Sequence, residues 1–501
     1  MKGTEHELPA ASASPEGFET VDAVFAWIHG FDRFDGRKGI KPGLQRMEAM
    51  LSRLGNPHRE LKFLHVAGTN GKGSTCAYLA SILEEAGYRV GLFTSPYMTS
   101  FHDRMSVGGL NITDEELLAM GNLLRPAVEE VTETEHGRPT EFEVVTALSI
   151  LHYSRVGVDV VVWETGLGGR LDSTNVVTPV LSLITNVGRD HQAILGETLE
   201  EIAAEKAGII KPGVPVLTTA AEPALSVILR TASEKSAPSL HMGRDFWATG
   251  RKALGLEGQM FDWQGEATSA IASPIDRIAG ASSANDLHVD SSSAVASQVD
   301  ASNANVGPAR DRVVFSELRI GMLGPHQVWN ASLAVAAIVQ LNAMGWNISE
   351  GALRRGLQRM RWAGRFEVVS QEPLTILDGA HNPEGAEMLS KTISELLPNT
   401  RLAVVFGILA DKAIPGVLAP VLAHAAHVIV TRADYPRAAN PQDVAVVVRD
   451  LAPHLPSDVC DTVPTALARA QELAVGGQVD AVLYTGSLYT ISEVRHFLFQ
   501  K

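Results

Sequence analysis

The stretch Gly68-Thr-Asn-Gly-Lys-Gly-Ser74 lies between a short apolar run, residues 61–67, and an amphipathic run, residues 74–86, that is closed by Gly87. That order of apolar run, glycine turn and amphipathic run predicts a strand, a tight loop and a helix. Glycines let the backbone wrap an anion with its N–H groups pointing inward, and the positive end of the helix dipole faces the same point. Lys72 adds a point charge for β- and γ-phosphates. Gly68, Thr69, Asn70, Gly71, Lys72, Gly73 and Ser74 therefore read as an ATP-binding phosphate loop. Residues 89–94 supply the second strand of a βαβ unit, and an α/β fold follows. The loop departs from G-x-x-x-x-G-K-[ST] in having only two residues between its glycines and in carrying Gly73 after the lysine. A magnesium ligand has to come from elsewhere in the chain.

A chain of 501 residues exceeds one ordinary hydrophobic core and predicts two domains. The strand candidates 159–163, 180–186 and 214–218 alternate with helical stretches such as 143–153 and 199–207, and runs this apolar suit a parallel sheet buried on both faces. Apolar spacing also predicts helices over 21–28 and 43–54 ahead of the first strand. A second alternation begins near residue 365, with strands at 374–377, 402–406, 427–431 and 480–484 and a helix over 383–397. It reads as a smaller doubly wound domain. Between the two lie a helix over 327–341 and a hinge at Arg359-Met-Arg-Trp-Ala-Gly-Arg365. The expected division is a loose tail over 1–16, an ATP-binding domain over 17–360 and a second domain over 361–501. Residues 278–311, rich in Ala, Ser, Asn and Asp and lacking aromatics, are expected to be a disordered or loosely packed insertion.

A formal charge of −15 argues against general affinity for nucleic acid or anionic membrane, so an anionic substrate needs a local basic pocket. Two distant cysteines, Cys76 and Cys460, suggest neither a disulfide framework nor a thiolate zinc site. With no apolar signal core and no apolar run of membrane-spanning length, a cytoplasmic address is expected.

Several polar residues fall at candidate strand ends, the edge where open α/β sheets bind ligands. Glu164 follows the run 159–163 and opens Glu164-Thr-Gly-Leu-Gly-Gly-Arg-Leu-Asp-Ser-Thr-Asn175. His191 closes Asn186-Val-Gly-Arg-Asp-His191 after the next strand. A hard cation at that edge wants oxygen ligands of the kind Glu164 offers. Asp378-Gly-Ala-His-Asn-Pro383 sits at a strand end of the second domain and opens a helix at its proline. Lys206, in Glu200-Glu-Ile-Ala-Ala-Glu-Lys-Ala-Gly-Ile-Ile-Lys-Pro-Gly213, reads by itself as a solvated helix residue or an ion-pair partner of Glu205 or Glu201.

The shortened loop is the form carried by the Mur ligase superfamily, and Gly68–Ser74 resembles its folate branch, with similarity extending over about 39–213 and 324–489. The resemblance implies a P-loop NTPase-like parallel-sheet ATPase domain followed by a smaller Rossmann-like domain. It assigns Mg2+ to Ser95 of Thr94-Ser-Pro-Tyr97, to Glu164 and to His191, with a monovalent cation such as K+ as an additional candidate. It makes Lys206 a carbamylated lysine. It places Asn330 of Gln327-Val-Trp-Asn330 against adenine, and Arg365 and Asp378 against the rest of the nucleotide. Thr140, Glu141, Phe142 and Glu143, with Leu171, Asp172 and Ser173, become pterin-side contacts, for which a capping turn is the plainer reading of the first group. His381, Asp411, Lys412 and Ser487 fall to the incoming glutamate, with Lys72, Lys206 and His381 as the catalytic set.

The implied activity is ATP-dependent addition of L-glutamate to dihydropteroate, to the γ-carboxylate of a folylpolyglutamate, or to both, through an acyl phosphate. A monomer acting on small molecules is expected, with no nucleic-acid or membrane partner. A peptidoglycan-precursor ligase is the rival within the superfamily, disfavoured by the loop and Thr94–Tyr97. From other classes, a nucleotide-hydrolysing switch predicts turnover without acceptor dependence, and a non-catalytic nucleotide-binding protein would not need Lys72, Glu164, His191 and Asp378 together.

Overall fold

The computed structural model describes residues 17–32, 43–268 and 310–499. The tail over 1–16 and most of the 278–311 segment lie outside the described residues.

The apolar run after residue 60 folds as β1 (Phe63–Ala67), every residue of it buried. It joins β2 (Val90–Phe93), the hairpin β3 (Met105–Val107) and β4 (Leu110–Asn111), β5 (Val160–Glu164), β6 (Leu181–Ile184), β7 (Val216–Thr218) and β8 (Ser239–His241) in one sheet. Its order is β4-β3-β2-β5-β1-β6-β7-β8. From β2 through β5, β1, β6 and β7 to β8 all pairings are parallel, and at the other edge β2–β3 and β3–β4 pair antiparallel. Parallel alignment puts the carboxyl ends of β1, β2, β5 and β6 along one edge, which is where the loop 68–74, Ser95, Glu164 and the 185–191 segment emerge.

The helix Lys72–Glu85 begins at the loop lysine, two residues ahead of the sequence expectation, with Gly71 as N-cap in the left-handed region at φ 85°. Ser74 through Leu83 are all buried, because the helix is covered on one side by the sheet and on the other by the helices Pro325–Ala343 and Glu350–Arg359. Each fully buried leucine or isoleucine there contributes about 1.5–3 kcal/mol, so the loop is anchored by its own helix.

A three-stranded antiparallel sheet of β9 (Phe246–Ala253), β10 (Gln259–Thr268) and β11 (Arg310–Ile320) packs on the same core, through Phe246, Phe261, Trp263 and Leu318. The sequence reading did not foresee it. Residues 310 and 311, taken there as the end of the loose insertion, instead open β11 and pair with Thr268 and Ala267.

The second half of the chain forms a six-stranded sheet, β12-β13-β17-β14-β15-β16. Its strands are β12 (Glu367–Gln371), β13 (Leu374–Leu377), β14 (Leu402–Phe406), β15 (Ala425–Val430), β16 (Ser457–Val459) and β17 (Ala481–Thr485). Only β12 is antiparallel to its neighbour. Separate apolar cores cover its two faces. The carboxyl ends of β13, β14 and β17 carry 378–383, 407–412 and 486–489. Among the described residues no helix is long and apolar enough to cross a membrane.

Candidate active site

The carboxyl edges of the two sheets face each other across a cavity of about 850 Å³. Every site residue expected from the sequence lines it, except Asp411.

The loop wall is held by main-chain bonds. Thr69 N–H donates to the Asn186 carbonyl at 2.9 Å, Asn70 N–H to Asn186 Oδ1 at 2.7 Å, and Thr185 Oγ1 to the Asn70 carbonyl at 2.6 Å. Lys72 Nζ folds back on the carbonyls of Gly68 and Thr69 at 3.2 and 3.4 Å. Asn330 fits against the loop so closely that a Cβ on Gly71 would fall 2.3 Å from its Oδ1. A bond of 3.1 Å from its Nδ2 to Gln327 Oε1 fixes its amide.

Glu164 is buried beside the loop, and its Oε2 accepts the Ser95 N–H at 3.0 Å. Burial pushes its carboxyl upward, against the pull of Lys72, so a further cation alongside would favour the anion. His191 is driven down to about 4, mainly by burial, and its neutral imidazole offers a lone pair. Among the described residues no group of three or more His, Cys, Asp or Glu could hold a metal. The expected set contains two such residues and a serine, and suits a hard cation that keeps part of its water.

Lys206 is buried, and Nζ donates to the Gly68 carbonyl at 2.9 Å. Burial and the neighbouring Lys72 ammonium push it down to about 7. Neither plain reading of this lysine holds: Glu205 pairs with Arg170 at 2.7 Å, and Glu201 caps its own helix.

Thr140 and Glu143 form the capping box of the helix Glu141–Val156, so the plainer reading of that motif is realised while all four residues also line the cavity. Glu143 is held by Arg46, whose Nε lies 3.1 and 3.0 Å from its two oxygens. Asp172 accepts Leu167 N–H at 2.8 Å and Thr174 N–H at 3.0 Å, which shapes the turn bearing Leu171 and Ser173.

On the opposite wall Asp378 accepts the Phe366 N–H at 2.8 Å and the Ala380 N–H at 2.9 Å. Burial raises its carboxyl, opposed by Arg365. His381 Nδ1 lies 2.8 Å from the Gly379 carbonyl, which places its proton there. Lys412 Nζ reaches Asp190 of the first half at 2.6 Å. Asp411 points away and pairs with Arg437 at 2.7 Å. A carboxylate cannot itself hold an anionic substrate group, and the lining residue is Arg437.

Sequence reasoning did not single out Arg46, Asp190, Tyr435, Arg437 or Trp329. Asp190 lay inside a quoted motif, next to His191, but its partners are far off in sequence. Tyr435 stacks on Tyr489 with centroids 4.0 Å apart. Trp329, 47% exposed, faces the cavity from a helix otherwise buried from Gln327 to Leu341.

A phosphate loop facing a second α/β sheet across one cavity defines a two-domain nucleotide-dependent enzyme. The model of the Mur ligase middle domain matches residues 66–245 and that of the Mur ligase glutamate ligase domain residues 364–488. The dihydrofolate synthase/folylpolyglutamate synthase of Bacillus subtilis is 39% identical over 485 residues, covering 95% of this chain and 99% of that protein. The folylpolyglutamate synthase of Thermotoga maritima superposes with a TM-score of 0.75 at 32% identity, covering 96% of this chain and 97% of that one. That of Mycobacterium tuberculosis, complexed with ADP, does so at 0.80 and 25% identity, over 96% and 98%. The chain belongs to the folate branch of the Mur ligase superfamily.

Proposed function

We propose that this chain is an ATP-dependent ligase that joins L-glutamate to dihydropteroate, to the γ-carboxylate of a folylpolyglutamate, or to both, releasing ADP and phosphate. The observation that carries the reading is the meeting in one cavity of the phosphate loop with His381, Lys412 and Ser487 of the second sheet. Residues 17–360 act as a P-loop NTPase-like ATP-binding domain and 361–501 as a Rossmann-like domain that brings the amino acid.

A carboxylate resists an amine because it is anionic and lacks a leaving group. Its oxygen attacks the γ-phosphorus of ATP, the bond to the β-phosphate oxygen breaks, and an acyl phosphate forms. Lys72 and Arg365 offset charge on the transferring group, where positioning and electrostatics dominate. The neutral amine of glutamate then adds to the acyl carbon, phosphate leaves, and the amine proton is lost to give the amide. Lys412, Arg437 and Ser487 hold glutamate's carboxylates, and His381 stands where its amine enters. Two sheets closing over one cavity keep water from the acyl phosphate. The pterin end lies against Thr140–Glu143 and Leu171–Ser173.

Ser95, Glu164 and His191 would hold Mg2+, which supplies charge neutralisation at the phosphates. Lys206, with a substantial neutral fraction near pH 7, is suited to take up CO2: its neutral nitrogen bonds the carbon, one proton leaves, and a buried amine becomes an anionic carbamate.

ATP-dependent phosphate release, measured with each acceptor and glutamate, tests the reading. Release that requires both acceptor and glutamate is expected. No release with either acceptor sinks it, and release independent of acceptor points to a nucleotide-hydrolysing switch.

A further inference from the structure

Asp190 ends the segment after β6, and its side chain is only 11% exposed. A carboxylate so placed needs partners. Within its own half it meets the N–H of His191 at 2.9 Å and the His191 imidazole at 3.8 Å, and its other partners come from the other half of the molecule. Lys412 Nζ lies 2.6 Å from Oδ1, Asn382 Nδ2 3.2 Å from Oδ2, and His381 Nε2 3.6 Å from Oδ2. These residues follow β13 and β14, about 190 to 220 positions along the chain. The Lys412 side chain is itself 8% exposed, and among the described residues Asp190 is the one carboxylate that it meets.

The surroundings reinforce this direction of holding. Asn382 exchanges amide bonds with Asn70 of the phosphate loop, at 3.3 and 3.0 Å. Arg189 N–H donates to Glu384 Oε1 at 3.0 Å. The loop, Asp190 and the 381–384 turn thus form one continuous polar seam along the floor of the cavity. Only Asp190 in it carries a charge that answers a buried charge on the facing sheet.

We propose that Asp190 is a positioning residue for ligation: its carboxylate sets Lys412 and His381 at the height of the phosphate loop, so the amino-acid pocket is complete only when the two sheets are closed. The inference rests on the ligase reading, in which Lys412 meets a carboxylate of glutamate. Freed of Asp190, the Lys412 ammonium would lose its orientation, and the imidazole would lose the anion that its Nε2 faces. Asp190 makes no direct bond to the phosphate loop or to the acceptor wall and reaches Asn70 only through Asn382, so its loss should weigh on glutamate far more than on nucleotide or acceptor.

Asp190→Asn keeps the size and the polar contact with Asn382 but removes the charge. The KM for glutamate should rise at least about tenfold, since one partner of a buried charge pair is lost, while the KM for ATP stays within about twofold. Lys412→Met should give a similar rise, and the double variant should be no worse than Lys412→Met alone, as for two residues acting through one contact. Hydrogen–deuterium exchange in the full chain should quicken at 379–385 and 409–414 in Asp190→Asn, with 68–74 unchanged. An unaltered glutamate KM, losses that multiply in the double variant, or unaltered exchange in those segments each overturns the proposal. Should the wild-type chain turn over ATP without regard to glutamate, the ligase reading fails, whereas the exchange measurement still decides whether Asp190 holds the two segments.

Discussion

On one side of the cavity the loop 68–74 is held by bonds to neighbouring strand ends, most of them from the main chain. On the other side the two cationic residues of the second sheet's 407–437 region are held by charges: Lys412 by Asp190 and Arg437 by Asp411. Bonds of the first kind are part of folding the sheet and persist with the fold. Those of the second kind depend on closure or on exposed partners, and they weaken when the surfaces part. Under the proposed ligation, a nucleotide wall built on main-chain bonds and an amino-acid wall built on charge pairs would suit a reaction whose first product, an acyl phosphate, must not meet water before the amine.

The largest loss should follow Lys72→Ala, which removes the loop's cation and leaves its backbone intact. Ligation should fall by about a hundredfold to a thousandfold, in line with removing one preorganised donor from a transition state. Phosphate release at saturating ATP, acceptor and glutamate checks it, and a variant above a tenth of wild-type activity contradicts the placement of Lys72. Lys206→Ala comes next, at about a hundredfold, with partial recovery on adding a small carboxylic acid. The same residue gives a pH dependence whose sign follows from its depression to about 7. The amine is mostly charged at pH 6 and mostly neutral at pH 8, and only the neutral form takes up CO2. In CO2-depleted buffer the gain on adding bicarbonate should therefore be larger at pH 8 than at pH 6. Equal gains would remove the carbamate.

Gly71→Ala probes the same wall without touching a charge. A Cβ there meets Asn330 Oδ1 at 2.3 Å, in a backbone conformation at φ 85° that favours glycine. The combined strain, of order 1–3 kcal/mol, should raise the KM for ATP by about tenfold and leave that for glutamate within about twofold. A rise in the glutamate KM of equal size would mean that the two walls are not separately built.

The difference between the walls also explains what could be read from the chain. Gly68 to Ser74 were legible because glycine, lysine and helix start are contiguous, and local chemistry dictates local backbone. Glu164 was legible as a strand end because β5 is a short apolar run, and His191 as part of the segment that follows β6, although it caps a short helix seven residues beyond that strand. Asp190 was not, since nothing within its own segment announces a cation some 220 residues away. The partner of Asp411 was hidden for the same reason: next to Lys412 in sequence, it pairs with Arg437. The sheet β9-β10-β11 escaped because β9 is half exposed and lacks a clean alternation, and because β10 and β11 are separated by 41 residues outside the described structure.

The smallest effect is expected on the acceptor wall, where Thr140 and Glu143 serve two purposes. Thr140 Oγ1 accepts the Glu143 N–H at 3.3 Å, and Glu143 returns the bond to the Thr140 N–H at 2.7 Å. Thr140→Ala removes the cap and should cost about 1 kcal/mol of stability, lowering the melting temperature by about 2 °C. Because Glu143 is also held by Arg46, its carboxylate should stay in place, and the KM for the acceptor should change by less than about threefold, with ATP and glutamate unaffected. A large rise in acceptor KM with an unchanged melting temperature would mean that the Thr140 hydroxyl touches the pterin directly. That result would make the acceptor wall, like the amino-acid wall, a surface set by side chains.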